Sequence, residues 1–357
     1  MKKALSILLV VFMLTTGLLI NTSAADVVYH SFEECAASAG AAILYDENNR
    51  TVLYEKNADE KVAPASITKL VTAMVALKYA SANTVFTVGS EQNLVHMYSS
   101  LCFIEKGEKL TLQHLIYGML IPSGNDAAYT IAVNIARIAS GKYSMSDREA
   151  VSYFCDLMND YAKSLGAKNS NFINPDGWDE TVHYSTARDL LLITDKALKF
   201  KTIADTVCLA SVSVTVKSGQ THSWSNSNYL LHRYSPYYYQ YATGVKTGTT
   251  DNAGYCLSAR AEKDGKGYIA IVLKCPTERD RFSAAALLLD LALRGRPKGD
   301  IDGDYAVTTI DARLALRLAI DIGSPSDEAL TYGDIDDDSV ITTSDARSIL
   351  RISIGLE

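Results

Sequence analysis

The sequence predicts an α/β fold in which an antiparallel sheet is flanked by helices and carries a helical subdomain, followed by a small all-α module. Three observations lead to this prediction. Strand-like runs lie at both ends of the first 294 residues, a long stretch of helical periodicity separates them, and an acidic segment repeats itself after residue 298. Because strands at both ends of a helical insertion can pair, we expect one sheet built from N- and C-terminal segments.

The period of the apolar residues assigns the individual elements. Apolar runs at residues 41–46 and 51–55 flank a polar turn and predict a hairpin. Residues 69–201 are helical in pattern with short loops. Further strands are predicted at residues 207–216, 254–261 and 268–274, and an amphipathic helix at residues 281–294. The tyrosine-rich residues 234–241 either line a groove or, as we favour, pack against a neighbouring loop.

The first 25 residues have the pattern of an export signal. Lys2 and Lys3 precede an apolar run over residues 4–20, and small residues from Ser23 to Ala25 suit cleavage by a signal peptidase. We expect a secreted protein, extracellular or associated with the cell surface or cell wall; the long apolar run leaves an uncleaved anchor as the alternative. The six cysteines form no metal-binding pattern, and we expect most to be buried free thiols, with one or two disulfides left open.

Charge is unevenly distributed along the chain. The net charge is −7, and residues 299–357 hold 13 acidic and 4 basic side chains, a balance of −9. No basic cluster indicates a nucleic-acid partner. A concentrated acidic tail indicates either cation binding or a solvated tail, and the pattern within it decides between the two.

A serine and a lysine begin the first predicted helix of the long helical stretch. Apolar residues after Pro64 recur at helical spacing, so the helix is predicted to start at Ser66 and to carry Lys69 on the same face. A serine hydroxyl becomes a nucleophile beside a base, and a buried lysine amine is such a base when it is uncharged. By itself Ser-x-x-Lys is a weak motif.

Two later motifs are also weak when taken alone. Ser123 and Asn125 lie around Gly124 on a predicted loop between apolar helices, where helix capping is the ordinary role. Lys246 and Thr247 precede Gly248 at a predicted edge strand, where an ordinary turn is the alternative.

In this order, the three motifs resemble the active-site set of penicillin-binding proteins and serine β-lactamases. The first two are about 57 residues apart and the third follows about 120 further on. The chain is most similar to the low-molecular-mass D-alanyl-D-alanine carboxypeptidases, from about residue 41 to 294. The likeness includes residues 107–111, 172–177, 183–189, 226–231 and 253–257. It implies a β-lactamase/penicillin-binding transpeptidase-like fold for residues 26–294, with β-lactam antibiotics as inhibitors and no catalytic cofactor.

The resemblance also implies roles for the motif residues. Ser66 would attack the carbonyl between the two terminal D-alanines of a peptidoglycan stem peptide, and Lys69 would take its proton. Ser123 would relay a proton to the leaving amine, and Asn125 would hold the substrate amide and Lys69.

The remaining roles fall on the third motif and its surroundings. Lys246 would help to keep Lys69 neutral and would meet the substrate carboxylate, with Thr247 bonding nearby. The backbone N–H groups of Ser66 and Thr249 would form the oxyanion hole. Arg281 falls where the family carries an arginine associated with the terminal carboxylate.

Two other functions remain open. A β-lactamase would need a glutamate that deacylates with water, and residues 174–178, in the corresponding region, contain none. A penicillin-fold domain whose chemistry has lapsed, acting as a binding module, is the alternative from another class.

The acidic tail, after a short linker at residues 295–298, contains a repeat with a period of 34 residues. Oxygen-bearing positions recur at the offsets of a calcium loop, and each loop leads into an apolar-faced helix, at residues 312–320 and 346–354. The predicted ligands of two Ca²⁺ ions are Asp300, Asp302, Asp304, Ala306, Thr308 and Asp311 in the first loop, and Asp334, Asp336, Asp338, Val340, Thr342 and Asp345 in the second.

This repeat resembles a type I-like dockerin over residues 299–357. The resemblance implies that a cohesin domain on a scaffolding protein is the partner. The glycine expected at position 6 is replaced by Tyr305 in one loop and Ser339 in the other, and we expect weaker calcium binding there.

Overall fold

The computed structural model describes residues 31–216 and 219–356. The export signal predicted at residues 1–25 lies outside the described residues. Within them, no helix combines the length and apolar character needed to cross a membrane.

The fold is organised around a five-stranded antiparallel sheet. The described residues contain this sheet and two small strand pairs. In chain order the strands are β1 Ala41–Asp46, β2 Thr51–Lys56, β3 Val85–Thr87, β4 Lys109–Thr111, β5 Ser211–Thr215, β6 Thr221–Ser225, β7 Ala242–Thr250, β8 Gly254–Lys263 and β9 Lys266–Cys275. The order across the main sheet is β2-β1-β9-β8-β7, while β3–β4 and β5–β6 form two small pairs. Ile43 of β1 lies opposite Ile271 of β9. The predicted sheet from both ends of the segment is therefore confirmed, with β7 at its edge.

Helices cover both faces of this sheet and form the subdomain beside it. They are α1 Phe32–Cys35, α2 Lys69–Tyr79, α3 Leu112–Leu120, α4 Asn125–Ser140, α5 Asp147–Ser164, α6 Ala187–Leu198, α7 Lys201–Val207, α8 Glu278–Arg294, α9 Thr309–Ala319, α10 Asp327–Gly333 and α11 Thr343–Ser353. Alternation along β1 divides the core, because Ile43 faces the helical subdomain and Leu44 faces α8.

The structure corrects two predicted boundaries and one predicted packing partner. The helix predicted to start at Ser66 begins at Lys69, and residues Ala65–Thr68 form a 3₁₀ turn before it. The strand predicted from residue 207 begins at Ser211, because Ile203 and Val207, four residues apart, are buried on one face of α7. Within residues 234–241, Tyr237 and Tyr239 pack against helix α8 rather than a loop: Tyr237 stacks on Phe282 with ring centroids 5.0 Å apart, and the Tyr239 hydroxyl donates to Asp290. Tyr234 is fully exposed.

The six cysteines are free thiols. Five are buried and Cys208 is exposed, as expected for most of them. None of the disulfides left open from the sequence is present among the described residues.

Residues 299–356 form a small helical module beside the sheet domain. Helices α9 and α11 share an apolar core that includes Ala315, Ile341 and Ile349. The ring of Tyr305, in the first acidic loop, packs on Phe32 of α1 with centroids 4.5 Å apart. The module therefore contacts the sheet domain through a residue of that loop.

Candidate active site

The turn at Ala65–Thr68, called the nucleophile turn because it carries the predicted nucleophile Ser66, is strained and leads directly into a buried helix. Ala65 has a φ of 47°, a left-handed conformation that L-residues seldom adopt. After it, the 3₁₀ turn places Ser66 and Lys69 on one side, and Lys69 Nζ donates a hydrogen bond to Ser66 Oγ at 2.7 Å. Ser66 itself is only half-buried. The predicted serine–lysine pair is thus in direct contact beside an accessible hydroxyl.

Lys69 is fully buried, with no solvent-exposed surface. Its Nζ also donates to the main-chain carbonyl of Asp176 at 2.7 Å. Burial lowers the pKa of Lys69 to about 8, although the nearby carboxylates of Asp176 and Asp126 act in the opposite direction. About a tenth of this amine is therefore uncharged at pH 7, far more than for an ordinary lysine, and the uncharged amine can accept the proton of the Ser66 hydroxyl.

The second motif lies on a tight turn before α4. Ser123 has a φ of 69° and is buried, and Gly124 leaves no room for a Cβ, which would lie 2.7 Å from the Gly118 carbonyl oxygen. Asn125 begins α4, and its Nδ2 donates to Asp176 Oδ2 at 2.5 Å. Within the described residues Asn125 makes no hydrogen bond to Lys69, in contrast to the contact expected from the resemblance; the loop carrying Asp176 lies between them.

The third motif lies on β7, alongside the nucleophile turn. A Cβ on Gly248 would come within 2.9 Å of Ala65 Cβ and 3.1 Å of the Ser66 backbone nitrogen, so the glycine allows the strand to approach the turn closely. The hydroxyls of Thr247 and Ser227 are hydrogen-bonded at 2.6 Å.

Lys246, also on β7, is buried, and its Nζ donates to the Thr247 carbonyl at 3.0 Å. Burial and the neighbouring charges of Lys69 and Arg281 hold the pKa of Lys246 well below its ordinary value. The two lysines therefore cannot readily both be charged.

Arg281 reaches the end of β7 from α8. Its Nη1 donates to Thr249 Oγ1 at 2.6 Å and to the Gly248 carbonyl at 3.3 Å, while Nη2 pairs with Glu278 at 2.9 Å. The guanidinium is buried. The structure therefore places Arg281 directly behind Thr249, the residue predicted to supply an oxyanion-hole N–H group.

Sequence reasoning missed two residues of this site. Asp176 contacts both Lys69 and Asn125, but its segment had been considered only for the family likeness and for the absence of a glutamate, and Asp176 was given no role. The Asn-Pro-Asp-Gly turn was the available signal. Gly177 has a φ of 87°, and a Cβ there would lie 1.9 Å from the Ala65 carbonyl oxygen. That turn is consequently wedged against the nucleophile turn.

The two acidic repeats fold into similar loops before α9 and α11. Carboxylate oxygens of Asp300, Asp302 and Asp311 lie within 4.8 Å of one another, and so do those of a second set. That second set is Asp334, Asp336 and Asp338. Clustered carboxylate oxygens are the hard donors that Ca²⁺ prefers, so the donor chemistry fits the predicted ion.

The other predicted ligands are arranged differently. Asp304 and Asp345 lie outside the two clusters. Thr308 and Thr342 are the N-caps of α9 and α11. Each hydroxyl accepts a hydrogen bond from the backbone N–H two residues later and donates one to the aspartate three residues later, Asp311 or Asp345. Equivalent turns precede Ala306 and Val340, since each N–H donates to the aspartate two residues earlier, at 2.8 and 2.9 Å.

The residues at position 6 keep the backbone conformation that glycine usually supplies. Tyr305 and Ser339 have φ values of 67° and 72°. Beside the first loop, Arg296 Nε donates to Asp300 Oδ2 at 3.0 Å. A cation bound in the first loop would therefore share the Asp300 carboxylate with the Arg296 guanidinium.

Comparisons with known proteins agree on the sheet domain. A family model described as Peptidase_S11, D-alanyl-D-alanine carboxypeptidase, matches residues 28–277. The D-alanyl-D-alanine carboxypeptidase DacF of Bacillus subtilis (strain 168) is 33% identical over 295 residues, covering 82% of this chain and 71% of that protein. The D-alanyl-D-alanine carboxypeptidase of Streptomyces sp. (strain K15) is 33% identical over 271 residues, covering 71% and 86%. The crystal structure of the Streptomyces K15 DD-transpeptidase superposes with a TM-score of 0.64 at 31% identity, covering 71% of this chain and 96% of that one.

Proposed function

The chain belongs to the peptidase S11 family of D-alanyl-D-alanine carboxypeptidases, which are serine hydrolases of the penicillin-binding, transpeptidase-like α/β fold, and we propose that it acts through an acyl-enzyme on Ser66. The substrate is the D-Ala-D-Ala end of a peptidoglycan stem peptide. The observation that carries the proposal is the 2.7 Å contact between Ser66 Oγ and the fully buried amine of Lys69.

In the acylation step, uncharged Lys69 takes the proton from Ser66 Oγ as the oxygen attacks the carbonyl between the two D-alanines. The backbone N–H groups of Ser66 and Thr249 stabilise the negative charge on that carbonyl oxygen. Ser123 passes its hydroxyl proton to the departing D-alanine amine and receives the proton that Lys69 took from Ser66, so Lys69 becomes uncharged again. Water then attacks the ester carbonyl while Lys69 takes one of its protons, and that proton passes to the Ser66 oxygen as the shortened peptide is released.

The substrate's terminal carboxylate is recognised on the β7 side. Lys246 supplies a donor whose charged form the bound carboxylate itself favours, and Thr247 supplies a hydroxyl. Asn125 binds the peptide amide from the opposite wall. Arg281 is buried behind Thr249, so it contributes positive potential and orients Thr249 through the 2.6 Å hydrogen bond.

Mass spectrometry after incubation with benzylpenicillin and with a synthetic pentapeptide tests this proposal. We expect a long-lived penicilloyl adduct on Ser66 and release of one D-alanine, both abolished in Ser66→Ala. A matched control is Ser146→Ala, because that hydroxyl caps the start of α5 and should affect only stability. Rapid penicillin turnover would instead favour a β-lactamase. The absence of D-alanine release would favour a binding module whose chemistry has lapsed. Peptide transfer to an added amine would indicate the transpeptidase activity named for the Streptomyces K15 enzyme.

We further propose that residues 299–357 form a dockerin that binds two Ca²⁺ ions and attaches the exported enzyme to a cohesin-bearing scaffold. The two acidic clusters and the matching loop-to-helix turns support this proposal. Bound calcium would neutralise the clustered carboxylates and so hold each loop closed.

Calorimetric titration of the chain with CaCl₂ tests the metal sites, and capture by cohesins with and without chelator tests the partner. Asp302→Asn and Asp336→Asn should each remove one binding event, because they remove one carboxylate from one loop. Cohesin capture that is indifferent to chelation would contradict the proposed attachment.

A further inference from the structure

Hydrogen bonds on both sides hold Asp176 in the turn that packs against the nucleophile turn. Asn174 Oδ1 accepts the Gly177 N–H at 2.8 Å, and Asn174 Nδ2 donates to the Trp178 carbonyl at 3.0 Å. These bonds fix both sides of Asp176, whose side chain is almost wholly buried. A buried carboxylate is expensive unless donors satisfy it, so its partners indicate what it does.

The Asp176 carboxylate and carbonyl contact two different motifs. Its main-chain carbonyl accepts from Lys69 Nζ at 2.7 Å, and its carboxylate accepts from Asn125 Nδ2 at 2.5 Å. Burial raises the pKa of Asp176, while the charge of Lys69 and the hydrogen bonds to the carboxylate act in the opposite direction. In its ionised form the carboxylate can only accept hydrogen bonds, so it faces the NH₂ side of the Asn125 amide. The amide oxygen, Asn125 Oδ1, is thereby turned the other way.

Asn125 Oδ1 remains available for a ligand. Among the described residues no donor bonds to this oxygen, and it is not one of the buried polar atoms shut off from solvent. We propose that Asp176 is a positioning residue, which orients the Asn125 amide so that Oδ1 faces the cleft and accepts an N–H of the stem-peptide backbone. This proposal rests on the carboxypeptidase function proposed above.

The same carboxylate lies close enough to influence the base. The charged and titratable groups that interact with Lys69 are Asp176, Asp126, Cys102, His183 and Lys246. The negative charge of Asp176 favours the ammonium form of Lys69 and so opposes its action as a base. Removing the charge while keeping the hydrogen bond should therefore change the pH profile separately from the binding of substrate.

A double-mutant cycle on pentapeptide hydrolysis tests the positioning role. Asp176→Ala and Asn125→Ala should each lower kcat/KM about tenfold, the size of one hydrogen bond. Because Asp176 acts through Asn125, the double variant should be no worse than Asn125→Ala. Penalties that multiply, or an Asp176→Ala enzyme as active as the parent, would overturn the inference.

Asp176→Asn keeps the volume and an acceptor for Asn125 Nδ2, so it provides a second readout if the alanine variant folds poorly. We expect kcat/KM near that of the parent at pH 9 and an acidic limb shifted to lower pH. The matched control is Asp189→Asn, since Asp189 is also buried but bonds Asn169 and Ser170 away from the cleft. It should lower the melting temperature without moving the limb. An unshifted limb in Asp176→Asn would count against the inference, whereas absence of penicillin acylation in the parent enzyme would refute the proposed function instead.

Discussion

The pH dependence of Ser66 acylation is the sharpest test of the role proposed for Lys69. The amine accepts a proton only when it is uncharged, and burial lowers the pKa of Lys69 to about 8. The uncharged fraction is then about a tenth at pH 7 and about half at pH 8. Acylation by a fluorescent penicillin should therefore speed up roughly tenfold from pH 6 to pH 7 and level off above pH 8. With an ordinary lysine the rise would continue toward about pH 10.

Stopped-flow fluorescence at fixed ionic strength measures this rise of the acylation rate with pH, the acidic limb of the pH profile. Lys69→Arg should be inactive across the range, because a guanidinium stays charged. Lys78→Arg, an exposed change near the end of the same helix, should reproduce the parent profile. Since Lys69 and Lys246 are coupled, the observed limb belongs to the pair. A rate that is flat from pH 6 to pH 9, or that falls as pH rises, would refute a lysine base.

Two further predictions concern glycine positions and their replacements. Gly177→Ala should destabilise the protein by about 2–4 kcal/mol, because it adds a backbone clash to a left-handed conformation. The control is Gly141→Ala, which is also left-handed but has nothing within 4 Å and should cost about 1 kcal/mol. Equal melting temperatures of the two variants would contradict the close packing of Gly177 against Ala65. Tyr305→Gly should relieve strain in the first loop, tighten calcium binding there, and expose residues 295–298 to trypsin by removing the contact with Phe32. Ser339→Gly, in the exposed second loop, should tighten binding without faster cleavage; equal cleavage of both variants would show that the contact does not hold the module.

Local features of the sequence were sufficient for much of the site. Ser66 and Lys69 are three residues apart, so any helical turn brings their side chains together. The edge position of β7 likewise followed from the strand pattern and the glycines around Lys246. The two acidic loops could be predicted for the same reason, because the residues that carry their oxygen atoms lie close together in a short segment that repeats.

Contacts between distant segments could not be predicted in this way. Lys69 and Asp176 are 107 residues apart, and Arg281 meets Thr249 across 32 residues. The boundary at Ser211 was missed because the burial of Ile203 and Val207, which extends α7, depends on the neighbouring core.

By itself, the sequence predicted which groups are candidates for the chemistry and fixed the order in which they occur along the chain. Only the tertiary structure decided how those side chains are oriented and which groups surround them. The Asn125 amide donates to Asp176, and the pKa of Lys69 depends first on burial and, in the opposite sense, on the charge of Asp176. The packing of one turn against another brings Asp176 into contact with both side chains. A buried carboxylate acts through distance and orientation, and neither quantity is encoded within a single motif.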